Sequence, residues 1–150
     1  MPAANSRRPI TLRALIVLTA IQIIGATGGG IGLVQDPINN IGMPLSMLEG
    51  SPFSDYLIPG LILLIVVGLF PIIPLIGLIL RRRWGWWVEL AAGAGLIVWI
   101  ITEVVLLGYL PGAGIGLQIA MGLLGVVIVV LTLVSPTRRF FGIGRADQGR

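Results

Sequence analysis

The chain has no cysteine, no histidine and no lysine. These absences exclude disulfides, thiolate nucleophiles, Cys/His zinc sites, iron–sulfur clusters and His-ligated haem. They also remove the usual general base near neutral pH and any Schiff-base amine. No cofactor or metal is implied, and no enzyme is expected. Charge of either sign is scarce: 11% of 150 residues are charged, against about 25% in an ordinary soluble domain. Hydrophobic residues make up 56%, and the mean hydropathy is +1.02. A soluble chain this short could not hide so much apolar surface, so one domain over 1–150 with a lipid-facing exterior is expected.

What basic charge there is falls in a pattern. All ten basic residues are Arg. Arg7, Arg8 and Arg13 flank the start of the first apolar stretch. Arg81, Arg82 and Arg83 separate the second from the third, and Arg138, Arg139, Arg145 and Arg150 follow the fourth. The two opposite connections carry no basic residue. This is the positive-inside pattern of a multi-pass protein with both termini cytoplasmic. A net charge of +4 raises nucleic acid as a partner, but the arginines flank spans, where they act as topology anchors and contacts to anionic headgroups. The expected partner is the lipid bilayer, with no nucleic acid. Arginine without lysine, together with 22 Gly, suits a bacterial genome rich in G+C and hence a bacterial cytoplasmic membrane.

The expected fold is all-α: a four-transmembrane-helix up-down-up-down bundle, N-in/C-in, with spans at about 10–33, 55–80, 84–107 and 115–134. The stretch from Ser6 to Ile10 resembles a weak twin-arginine signal, but a retained signal-anchor helix is the expected reading. The first outer connection holds Asp36, Glu49 and Asp55 unbalanced by any basic residue. Pro44 to Leu48 is expected as a helical turn or flap on the outer surface. Ser51 as N-cap, Pro52 at the first helical position and Asp55 in the first turn predict where the second span begins. Pro71 and Pro74 should break that span in its cytoplasmic half. Arg81, Arg82, Arg83, Trp84, Trp86 and Trp87 are expected as an interfacial membrane anchor. A short disordered tail is expected at the C-terminus.

Small residues four apart let helices approach closely. The pairs are Gly25/Gly29, Gly28/Gly32, Ala91/Gly95 and the run Gly108/Gly112/Gly116. Polar groups at membrane depth are costly and therefore informative. Glu89 and Glu103 are two heptads apart, roughly 21 Å along a helix axis, and share a stripe with Ala92, Leu96 and Trp99 that should point inward. Glu89 is expected to pair with Arg83 or another cytoplasmic Arg. Glu103 has no cation near it, so it must be protonated, hydrogen-bonded to Gln118 or Thr102, or open to outside water. Trp99 is too deep for an interfacial ring and needs a partner for its indole N–H, with Gln22 at a suitable depth. Glu103, Gln118, Trp99 and Gln22 are the candidate ligand-binding residues.

The segment Asp36-Pro37 followed by Leu48-Glu49-Gly50-Ser51-Pro52-Phe53-Ser54-Asp55-Tyr56-Leu57-Ile58-Pro59-Gly60, with the four-span layout, resembles small, uncharacterised bacterial four-span membrane proteins. The resemblance implies an integral protein of the cytoplasmic membrane and carries no activity or substrate. Two functions remain open. An accessory or structural subunit of a larger membrane complex, with a membrane-protein partner or a second copy of itself, is expected first. A binder or transporter of a small lipophilic or cationic ligand is the alternative; it requires an apolar pocket reaching Glu103. Glu89 and Glu103 are too far apart to serve one two-carboxylate centre.

Overall fold

A computed structural model describes residues 8–39, 43–109 and 113–143. Arg7, Arg145, Arg150 and the expected disordered tail lie outside the described residues. The elements are all helical: α1 (Ile10–Gln35), a 3-10 turn (Leu45–Leu48), α2 (Leu57–Ile62), a π-helical segment (Leu63–Leu69), α3 (Ile72–Ile79), α4 (Arg83–Leu107), α5 (Ala113–Leu133) and α6 (Ser135–Phe140). Four helical stretches are long and apolar enough to cross a membrane: Ile10–Gln35, Leu57–Ile79, Arg83–Leu107 and Gly114–Leu133. Isoleucine, leucine and valine side chains stand exposed along all of them, a surface suited to hydrocarbon and not to water.

Consecutive stretches run antiparallel, as their closest approaches show. Gly60, Gly68 and Gly30 bring the first pair together: Gly60 meets Leu33, Gly68 meets Thr27, and Gly30 meets Leu64. Gly77 and Gly85 sit backbone to backbone where α3 turns into α4. Gly93 meets Ile128, and Gly125 meets Ile97, where α4 packs on α5. A Cβ at Gly30, Gly60, Gly68, Gly77, Gly85, Gly93 or Gly125 would fall within 3.0 Å of a neighbour, so a hydrogen is all these positions can hold. The four-spaced pairs read from the sequence are mostly elsewhere. Gly28, Gly32, Gly95, Gly108 and Gly116 have nothing within 4 Å of an added Cβ, and Gly112 lies outside the described residues. Spacing of four aligns small residues on a helix face but does not say which face meets a neighbour.

The second span is broken where proline demands it. After α2 the backbone widens to π geometry, closed by the Phe70 amide on Ile65 O. Helix resumes at Ile72, after Pro71. Its start differs from expectation. Residues 51–55 form turns, and α2 begins at Leu57. Asp55 Oδ1 accepts from the Leu57 amide at 2.9 Å, while Ser51 Oγ accepts from Phe53. The aspartate therefore satisfies the first helical amide from just outside the N-cap, Tyr56, and the serine holds an earlier turn.

Arg8, Arg13, Arg81, Arg82, Arg83, Arg138 and Arg139 gather at one end of the bundle; Asp36, Glu49 and Asp55 lie at the other. At the arginine end Arg8 donates to Ile79 O, an otherwise open carbonyl at the end of α3. Arg81 lies 5.7 Å over the Phe140 ring, and Thr137 bonds Thr11, which tucks α6 under α1. The tryptophans there divide. Trp84 and Trp87 are exposed, as an interfacial belt requires, but Trp86 is buried and its indole donates to Thr132 O at 2.7 Å. Trp86 thus fastens α4 to α5 and is no headgroup anchor.

Gly85→Ala should lower unfolding stability by about 1–3 kcal/mol, the usual cost of overpacking. Gly95→Ala, in open space on the same helix, should leave stability unchanged or slightly raised. Thermal unfolding of both variants in detergent micelles measures the difference.

Candidate functional site

The inward stripe of α4 organises the interior. Glu89, Ala92 and Leu96 are buried and Trp99 and Glu103 half-buried, as two-heptad spacing predicts. Around the lower part of the stripe the bundle is solid. Leu12, Leu15, Leu78, Trp86, Ile128 and Phe141 form its core. Around the upper part it is hollow. A cavity of about 270 Å³ lies between all four spans, from Gly25, Ala26, Val67 and Leu96 at its floor to Met43 and Tyr56 near the acidic end. Most of its wall is aliphatic. Its polar side chains are few: Trp99, Glu103 and Gln118 lie close together, and Tyr56 joins the wall near the acidic end.

Gln118 on α5 donates through Nε2 to Glu103 Oε1 at 3.1 Å and also reaches Gly108 O at 3.3 Å. The Trp99 indole lies beside the Glu103 carboxyl, but its buried N–H makes no hydrogen bond of ordinary geometry. Thr102 is not a partner for Glu103; its hydroxyl donates back to Val98 O. The roof is built by the connection after α1. Leu33, Leu48 and Tyr56 pack as one cluster, and the Tyr56 hydroxyl donates to Pro44 O at 3.0 Å. The Leu45–Leu48 turn is thus fixed to the bundle, in agreement with the helical turn read from Pro44 to Leu48.

The structure brings together three of the four candidate ligand-binding residues. Gln22 is the exception. It is buried one turn below the cavity floor and does not line it. Its Nε2 donates to Val67 O at 3.2 Å rather than pairing with Trp99. In an unbroken helix that carbonyl would be met by the amide of residue 71, and Pro71 has none. Gln22 therefore closes the hole that proline opens in the second span. Sequence depth alone could not choose between the two roles. A glutamine opposite the residue four before a proline was the available signal.

Glu89 is also placed differently from expectation. It is 0% exposed, and its Oε1 contacts Thr19 Oγ1 on α1. No arginine pairs with it among the described residues, and its Oε2 has no hydrogen-bond partner. Arg83 is exposed at the first position of α4, six residues earlier, where the bundle end holds it in a different environment. Compared with protein families, curated proteins and solved structures, the chain finds no match.

Gln22→Leu should destabilise the protein by about 1–3 kcal/mol, because it leaves a buried carbonyl unpaired. In a Pro71→Ala background, which restores an amide at that position, the same substitution should cost measurably less. A double-mutant cycle by chemical denaturation in micelles reads the coupling; strict additivity would show that Gln22 does not serve the Val67 carbonyl.

Proposed function

We propose that this is an integral membrane protein whose cavity takes up a small lipophilic molecule bearing a cationic or hydrogen-bond-donating head. The observation that carries this reading is the cavity itself: largely aliphatic walls with one carboxyl group, that of Glu103, which accepts a hydrogen bond from Gln118. Binding sites for small molecules have this composition, apolar surface for affinity and a few convergent polar groups for orientation. A head that donates hydrogen bonds or carries positive charge would meet Glu103, and its tail would lie against Gly25, Ala26 and Leu96. Gly25, Gly29 and Leu117 are exposed and line the seam between α1 and α5. Access from the hydrocarbon layer through that seam suits a lipophilic ligand.

The charge pattern supports a bacterial cytoplasmic membrane, with the arginine end and both termini in the cytoplasm and the cavity in the outer half. The resemblance to small bacterial four-span proteins agrees with that placement. A role as subunit of a larger complex is the second reading. It is favoured by Gly28 and Gly95, small positions on exposed helix faces that none of the described residues covers.

Two experiments test these proposals. A hexylammonium probe should bind the purified protein in nanodiscs, Glu103→Gln should weaken it at least tenfold, and Gly29→Leu, which fills the seam, should abolish it; equal binding by all three proteins sinks the cavity assignment. For orientation, the cysteine-free chain allows single-cysteine labelling in whole cells. Ser46→Cys should react with a membrane-impermeant maleimide, and Ser135→Cys should react only after the cells are opened.

A further inference from the structure

The contact between Thr19 and Glu89 poses a question of hydrogens. A threonine hydroxyl has one hydrogen to give. Thr19 Oγ1 lies 2.8 Å from Leu15 O, the carbonyl one turn back on its own helix, and a carbonyl can only accept. The same oxygen is also in hydrogen-bond contact with Glu89 Oε1. If the Thr19 hydrogen goes to Leu15, the second contact needs a hydrogen from the carboxyl. If it goes to Glu89, two acceptor oxygens face each other at Leu15 without a hydrogen between them. Only the first arrangement satisfies both contacts.

The surroundings of Glu89 agree. The second span and α5 contain no ionisable side chain over Leu57–Ile79 and Ala113–Leu133. On α5 the nearby hydroxyl, Thr132, already gives its hydrogen to Ile128 O. α1 offers Arg13, exposed at the bundle end, and α4 itself offers Arg83, also exposed. Gln22, one turn above Thr19, gives one of its two amide hydrogens to Val67 O, leaves its Oε1 unpaired and makes no hydrogen bond to Glu89, whose Oε2 has no partner. Nothing among the described residues supplies a positive charge or a second donor to this carboxyl. A buried carboxylate without either is costly, whereas a carboxylic acid leaves only a neutral carbonyl oxygen, Oε2, unpaired.

We infer that Glu89 is a proton-binding site in the closed half of the bundle, its carboxyl O–H donating to Thr19 Oγ1 and Thr19 donating on to Leu15 O. The proton is then the ligand that joins α4 to α1, at a site separate from the cavity: Ala92 and Leu96, both buried, lie between Glu89 and Glu103 on the stripe. The inference does not depend on what the cavity binds.

Infrared spectroscopy of the full chain in nanodiscs at neutral pH tests it, because a carboxylic acid shows a C=O stretch well apart from carboxylate and amide bands. A carboxylic-acid band should be present in the wild type, persist in Glu103→Gln, vanish in Glu89→Gln, and shift in Thr19→Val. A wild type without the band, or a band removed by Glu103→Gln alone, overturns the site. A Glu89 band unmoved in Thr19→Val overturns the donor assignment. If Glu89→Gln fails to fold, the wild type and Glu103→Gln still decide, since these are the two carboxyls within the helical spans.

Discussion

A main-chain carbonyl freed inside an apolar bundle has no water to turn to, and the interior of this protein is arranged around that constraint. The second span contains proline where a continuous helix would pass. Its backbone answers in two ways: it widens to π geometry through Leu63–Leu69, and it hands the Val67 carbonyl to Gln22 of the neighbouring helix. For Gln22 to reach, α1 must lie close. Gly30, Gly60 and Gly68 permit this by giving up their side chains where the two backbones meet. The break in one helix and the glycines between the two are therefore one device. Removing the break would leave Gln22 without its acceptor, and filling the glycines would carry it out of range.

The same close approach divides the bundle into a solid half and a hollow half. Below Gln22, towards the arginine end, leucines and Trp86 fill the space between spans. Above it, α1 presents Gly25, Gly29 and Gly32 to the cavity, with Met121 of α5 against Gly25 and Leu63 of the second span beside Gly29. α4 runs through both halves with one carboxyl in each. Burial is what separates their roles. Glu89 is enclosed and meets one hydroxyl; Glu103 is half-buried at a cavity wall with an amide donor beside it.

Much of this frame was legible in the sequence, because it follows from periodicity and from residues with only one structural use. Four apolar stretches, the arginine clusters, the break near Pro71 and the inward stripe from Glu89 to Glu103 are all of that kind. So is the pairing of Glu103 with Gln118, two polar residues at matching depth with few other partners on offer. What was not legible depends on rotation of one helix about its axis relative to another. Gly30 and Gly68 belong to no conspicuous motif, yet they make the contacts that Gly28 and Gly95 do not. Trp86 sits in a run that reads as an interfacial belt, but its place in the helical turn points it inward to Thr132. For Gln22 and Glu89 the sequence supplies only depth, and depth fixes height along a bundle without fixing direction around it.

Direction also explains why two similar carboxyls on one helix face need not act together. The stripe between them carries Ala92, Leu96 and Trp99, and the first two are buried, Leu96 against Ala26 of α1 and Val67 of the second span. A proton on Glu89 would have to cross that seal to reach the cavity, and no polar side chain on the stripe bridges it. The contacts of Glu89 are all to groups that hold helices in place. Those of Glu103 open onto free volume. A ligand at Glu103 can therefore change without disturbing the Thr19–Glu89 contact, so long as Leu96 stays packed. Leu96 is buried at the cavity floor and in the apolar cluster with Ala26 and Val67 at once. With Ala26 and Val67 it forms the floor through which an occupant of the cavity could press on the closed half, because shifting these side chains would move the helices that carry both Gln22 and Glu89.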